Sequence, residues 1–212
     1  MKRAKAIFQF LTGKAGHFRK DHAPQLVMRY PHPEPPALCA LEEGYHLRSY
    51  CKGDEEEWVN LLNANGELGK WSMERIDAEI RGNLVHSAQF FILSGRQIVA
   101  AAGVYEGRLN GEDCWEIGWV ASDPKHRGKG LGRQATAAAV VAARSLPDRP
   151  IFLRTDDFRM AAIKVYLQLG FVPDFAHPSY KRRWQDIHAR LGDGDLAGAG
   201  PPISAQRGRS AT

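Results

Sequence analysis

Hydrophobic and polar positions switch period several times along the chain, and each switch marks an element. Residues 45–50, YHLRSY, alternate like a strand, and 54–62 set Trp58, Leu61 and Leu62 at helical spacing behind an acidic first turn. Ser72, ahead of Met73, Glu74 and Arg75, predicts the capped start of a second helix ending near Gly82. Residues 86–93 and 97–106 read as antiparallel strands around a Ser94-Gly95-Arg96 turn, and 114–121 as a further strand. Its alternation puts Trp115, Ile117 and Trp119 on one face and Glu116, Gly118 and Val120 on the other. Alanines dominate 131–145 and favour a helix. After Pro147 and Pro150 comes a β-rich run at 151–155, then a helix at 160–169 stopped by Gly170. Residues 171–172 and 180–184 predict two closing strands, so the expected order is β-α-α-β-β-β-α-β-α-β-β.

Periodicity fades at both ends. Residues 1–43 are basic, then proline-rich through Pro31-His32-Pro33-Glu34-Pro35-Pro36, and predict an N-terminal arm and linker with 25–30 available as an edge strand. Residues 192–212 hold Gly, Ala, Ser and Pro with almost no large apolar side chains, too few to offset the entropy of ordering; a disordered tail is expected there. One domain over 44–191 remains. A chain of 212 residues, 43% hydrophobic and 25% charged, suits a single core of that size.

Composition narrows the partners. No apolar run reaches the roughly 18 residues a membrane helix needs, and the opening MKRAKAIFQFLTGKAG has too short an apolar stretch for a secretory signal. Cys39, Cys51 and Cys114 are odd in number and lack metal-ligand spacing, so neither a disulfide framework nor a metal site is expected, and a reducing cytoplasm fits. Cys114 reads as an inert strand cysteine. The net charge of +5 is spread along the chain without the aromatic interleaving of a nucleic-acid surface, so neither nucleic acid nor membrane is an expected partner, while a homodimer stays open.

The chemistry concentrates in WEIGWVASDPKHRGKGLGR, residues 115–133. An apolar strand feeds a turn in which Gly128, Gly130 and Gly132 alternate with Arg127, Lys129 and Arg133, and a helix starts at Leu131. The first amides of a helix lack partners and carry the positive end of its dipole; glycines let an anion approach them and cations neutralise it. A phosphate-bearing ligand is the expectation. The spacing of a P-loop is absent, and although Gly130, Gly132 and Ala135 satisfy G-x-G-x-x-G/A, the insertion of 122–126 between strand and turn argues against a dinucleotide fold.

Residues 123–132, DPKHRGKGLG, resemble the acetyl-coenzyme A signature Q/R-x-x-G-x-G/A of the GCN5-related N-acetyltransferases (GNAT), with Arg127, Gly130 and Gly132 at its defining positions. Residues 162–171, AIKVYLQLGF, are similar to that family's later helix, a tyrosine followed closely by Gly-Phe. The resemblance implies an α/β, α+β mixed-sheet GNAT fold: a central twisted, mostly antiparallel sheet flanked by helices. It also implies acetyl-CoA as co-substrate, no metal, and transfer of an acetyl group to a primary amine. The acceptor is expected to be a small molecule rather than a protein, bound near 67–80 and 104–114, with Trp71, Tyr105 and Trp115 read either as an aromatic wall or, as such residues more often are, as core.

By the same resemblance, backbone groups of Val120, Ala121 and Ser122 hold the pantetheine arm and the thioester carbonyl. Arg127, Gly128, Lys129, Gly130, Leu131, Gly132 and Arg133 cradle the pyrophosphate. Tyr166 is the candidate general acid, although Ile163, Tyr166 and Gly170 share one helical face and a packed tyrosine reads the same. Glu116 is the candidate base, with Asp156 and Asp157 as weaker alternatives and an ordinary strand glutamate as the plain one. Arg159 stands where many family members carry an asparagine; it is open to cofactor phosphate, an acidic acceptor, or a loop ion pair with Asp156 or Asp157. A non-catalytic acyl-CoA binding module and a partner-binding role for the basic arm are the competing functions.

Overall fold

The computed structural model describes residues 24–82 and 84–191. The basic part of the arm and the tail at 192–212 fall outside the described residues. Seven strands form one sheet: β1 (Leu26–Tyr30), β2 (Tyr45–Ser49), β3 (Leu84–Ser94), β4 (Gln97–Leu109), β5 (Glu112–Ser122), β6 (Ile151–Thr155) and β7 (Val172–Pro173), in the spatial order β2-β3-β4-β5-β6-β1-β7. Every neighbouring pair is antiparallel except β5 and β6. The helices are α1 (Glu55–Asn65), α2 (Met73–Ile76, running into a π turn at Asp77–Arg81), α3 (Leu131–Arg144), α4 (Met160–Gln168) and α5 (Tyr180–Leu191), with a short 3₁₀ turn at Pro124–His126.

Local signals explain most of these elements. Ser72 Oγ accepts from Arg75 N at 3.3 Å and starts α2. Gly66, left-handed at φ 75°, ends α1. Asn110 and Gly111, at φ 54° and 90°, make the tight turn between β4 and β5. In α3, Ala135, Ala137, Ala138, Ala139 and Ala143 are buried, and their small side chains let the helix lie close on the sheet. Trp58, Leu61 and Leu62 of α1 with Trp71, Ile76 and Ile80 form a second core against Phe91, Ile98 and Tyr105 on the opposite face.

Two expectations are corrected. Residues 26–30 are no edge strand on a linker: β1 lies inside the sheet between β6 and β7, Leu26, Met28 and Tyr30 are almost wholly buried, and this part of the arm belongs to the core. Residues 180–184 are helix, not strand. Tyr180, Trp184, Ile187 and Leu191 are all buried at helical spacing, a period visible only beyond Trp184, whereas the bulky aromatics at 180 and 184 alone mimic a strand end.

Candidate active site

The parallel pair β5–β6 holds together for only three rungs, Trp115–Ile151, Glu116–Phe152 and Ile117–Leu153. Beyond Ile117 the two strands part: Gly118, Ala121 and Ser122 pair only with β4, and Trp119 and Val120 bulge between them. Val120, Ala121 and Ser122 therefore present one backbone edge without a strand partner.

Behind the opening stands the N-terminus of α3. Gly128 and Gly130 are left-handed at φ 82° and 70°, and nothing lies within 4 Å of a Cβ placed on either, so their need for glycine is conformational and the space above them is open. Gly132 is different: a Cβ there would meet Ser122 Oγ at 2.7 Å, which fixes the approach of helix to strand. The first bond within α3 is Gln134 N to the Gly130 carbonyl, so the amides of Leu131, Gly132 and Arg133 precede the helical ladder.

The cations of the turn have local partners. Arg127 is exposed. Lys129 pairs with Glu42 at 3.0 Å and sits over the Tyr45 ring at 5.0 Å. Arg133 donates to the Cys39 thiol at 3.6 Å, an interaction that lowers that thiol's pKa. Tyr45 OH also meets His126 Nδ1 at 2.8 Å. The segment before β2 thus packs directly on the glycine turn, which no periodic signal announced.

Tyr166 lies on α4 with its ring 6.1 Å from Phe171, which in turn meets Tyr30 at 5.2 Å. Burial pushes its phenol up to about 12, with the Arg159 charge opposing. Arg159 pairs with Asp156 at 3.2 Å and donates to the Glu67 carbonyl at 3.2 Å, joining the start of α4 to the loop between α1 and α2. Its Nε is buried with no hydrogen-bond partner among the described residues. Asp156 is further held by Gln25, and Asp157 by Arg183 at 2.9 Å, so both weaker base candidates are engaged in ion pairs.

Glu116 does not stand free in the cleft: its Oε2 is held by Arg154, whose second amino group donates to the Arg108 carbonyl at 3.3 Å. It shares a face with Tyr105, Gly118 and Gly103, its cross-strand neighbours. Tyr105 OH donates to the wholly buried Gln89 at 2.7 Å, and a Cβ on Gly103 would collide with Gln89 Oε1. Burial, then the Glu116 charge, holds the Tyr105 phenol well above its ordinary pKa. This polar pair was not foreseen; the glycine opposite Gln89 is its one trace in the sequence. Cys114 is buried, and its thiol is pushed up by burial.

The aromatics expected as an acceptor wall are core residues: Trp71 and Tyr105 are buried in the second core and Trp115 in the main one. Trp115 points to the α3 face, where its Nε1 donates to the Pro147 carbonyl at 2.9 Å. A bulge sets Trp119 and Val120 opposite Ala102 alone, and Trp119 crosses to the α1–α2 face to pack on Trp71. The alternation predicted for β5 holds to Gly118 and reverses there. The hairpin tip at Asn110–Gly111 lies at the end of β5 away from the opening.

Similarity to known proteins agrees with this geometry. Residues 55–171 match the profile of the acetyltransferase (GNAT) family. Proteins named mycothiol acetyltransferase are related: that of Thermobispora bispora is 31% identical over 165 residues, 73% of this chain and 56% of the relative. That of Amycolatopsis mediterranei is 32% identical over 163 residues, 71% of this chain and 52% of the relative. The chain spans about half the length of the curated relatives it matches. Among solved structures, a GNAT-family acetyltransferase from Novosphingobium aromaticivorans superposes with a TM-score of 0.53 at 21% identity, over 70% of this chain and 59% of that one. The ribosomal-protein-S18-alanine N-acetyltransferase of Escherichia coli does so with a TM-score of 0.51 at 18% identity, over 62% and 79%. Both likenesses concern the fold. No helix among the described residues is long and apolar enough to cross a membrane, and no described group of His, Cys, Asp or Glu could hold a metal ion.

Proposed function

We propose that this chain, which belongs to the acetyltransferase (GNAT) family, moves the acetyl group of acetyl-coenzyme A directly to a primary amine of a small-molecule acceptor. The observation that carries the reading is the conjunction of two features: β5 parts from β6 past Ile117, and the glycine-started helix α3 begins beside that opening. Bound acetyl-coenzyme A supplies an activated thioester.

The residues of the chain have separate tasks. Gly128 and Gly130 leave the space an anion needs, the leading amides of α3 offer it donors, and Arg127 and Arg133 add charge. Val120, Ala121 and Ser122 offer backbone groups along the arm of the ligand, which holds the thioester in one orientation. The unpartnered Nε of Arg159 is, in this reading, a donor left for that ligand near Tyr166. Tyr166 keeps its proton at neutral pH, with a phenol near 12, and in this reading hands it to the departing thiolate when the acceptor is in place. Glu116 takes the amine's proton only if Arg154 releases it or relays through water.

The acceptor is read as small because relatives with about 30% identity carry the name mycothiol acetyltransferase. The competing reading, an acyl-coenzyme A binding module without turnover, draws on the engaged state of Glu116. Calorimetric titration with coenzyme A, followed by thiol release across a primary-amine panel, separates them. Binding with amine-dependent release supports the transferase; binding without release supports the module.

A further inference from the structure

Trp119 is a bulky residue in the left-handed region, at φ 51°, inside a strand. The other described non-glycine residue with positive φ is Asn110, in a tight turn where that conformation is ordinary. A tryptophan there is strained and persists only where its surroundings over-determine it. The surroundings are specific. Trp71 meets Trp119 edge-on, ring centroids 4.7 Å apart at 82°. Trp71 is itself fixed at every polar atom: its N donates to Asn63 Oδ1 at 2.8 Å, its carbonyl accepts from Asn63 Nδ2 at 3.1 Å, and its Nε1 donates to the Leu68 carbonyl at 2.8 Å. The Arg75 guanidinium covers its other side at 4.0 Å and is tied to Glu79 at 3.0 Å and to the Lys70 carbonyl. From the last residue of α1, Asn65 Nδ2 holds the Ser122 carbonyl at 3.2 Å. Both ends of the stretch 119–122 are thus gripped from one side.

We infer that Trp119 is a positioning residue and Trp71 its brace: their packing holds the bulge that turns the peptide groups of Trp119 and Val120 out of the β4 ladder toward the opening. The inference rests on the acetyltransferase reading. In a regular strand Trp119 would lie with Trp115 and Ile117 on the α3 face, and Trp119 and Val120 would each face their own residue of β4, as Gly118, Ala121 and Ser122 do. The loop that bears Trp71 packs into the second core, so the brace ties the placement of the thioester-binding backbone to the packing of that core. No side-chain chemistry of Trp119 is involved.

Two substitutions separate backbone from side chain. Glycine adopts φ 51° without a brace, whereas alanine retains the strain and loses the stacking. The test is the carbonyl stretch of acetyl-coenzyme A, isotope-labelled at the thioester carbonyl, bound to the full chain. A backbone donor at that oxygen lowers the frequency relative to free ligand. The wild type and Trp119→Gly are expected to show the lowered band; Trp119→Ala and Trp71→Ala lose most of the shift, and Trp71→Ala adds no loss in the Trp119→Gly background. A full shift in Trp119→Ala, or an equal loss in Trp119→Gly, overturns the positioning role while leaving the transferase reading intact. Failure of the wild type to bind acetyl-coenzyme A overturns both.

Discussion

Arg154 donates to Oε2 of Glu116 across the last paired stretch of β5 and β6, immediately before the strands separate. Both side chains are less than a fifth exposed. Removing the guanidinium alone strands a carboxylate there, so Arg154→Met is expected to destabilise the fold by about 1–3 kcal/mol in denaturant unfolding. The double variant Arg154→Met with Glu116→Met recovers most of that loss, because an apolar pair leaves no charge uncompensated. Equal losses in both variants would show that packing, not the ion pair, dominates the site.

Gly132 and Ser122 give a steric prediction. A methyl group at 132 meets Ser122 Oγ at 2.7 Å, so Gly132→Ala is expected to cost about 1–3 kcal/mol and weaken coenzyme A binding together. Adding Ser122→Ala removes the hydroxyl oxygen and restores stability. Thermal unfolding and calorimetric titration of the three variants check this; no rescue would mean that the helix start needs Gly132 for another reason.

Tyr166→Phe keeps the ring against Phe171 and removes the proton donor. Turnover on an accepted amine is expected to fall by roughly 10²-fold or more while the coenzyme A dissociation constant stays within about twofold. Unchanged turnover assigns Tyr166 to packing alone.

Stability should also fall at alkaline pH. The phenols of Tyr50 and Tyr166 are pushed up to about 12 from an ordinary value of 10.0, burial being the first cause in both. Between these values the unfolded chain has already released protons that the folded chain retains, so the contribution is full below pH 10 and is lost as pH rises toward 12. Chemical denaturation from pH 9 upward measures it, with Tyr50→Phe and Tyr166→Phe each expected to flatten the decline over about two pH units. A decline of the same slope in the double variant would assign it to other groups.

The parts of this site legible in the sequence were those written in local backbone chemistry. Gly128, Gly130 and Gly132 announce a turn and a helix start whatever surrounds them, and the alanines of α3 announce its packing. Trp119 was misplaced because a bulge adds one residue to a period of two, and nothing in WEIGWVAS distinguishes a bulged strand from a regular one. Long-range pairs were equally silent. Arg159 to Glu67, Asn65 to Ser122 and Lys129 to Glu42 join segments far apart in the chain, and strand β1 enters between β6 and β7 from a region whose prolines read as a linker. For α5 the window was too short: Ile187 and Leu191 complete a helical face that Tyr180 and Trp184 only begin.

Amine-dependent acetyl transfer is read directly from thiol release by acetyl-coenzyme A. The chain is incubated with acetyl-coenzyme A and a panel of small primary amines, mycothiol-related amines among them, with acetylated amine measured alongside free thiol. Release is expected to rise with one class of amine, to match the acetylated product in amount, and to drop sharply in Tyr166→Phe. Tight coenzyme A binding with release that no amine accelerates would contradict amine-dependent transfer.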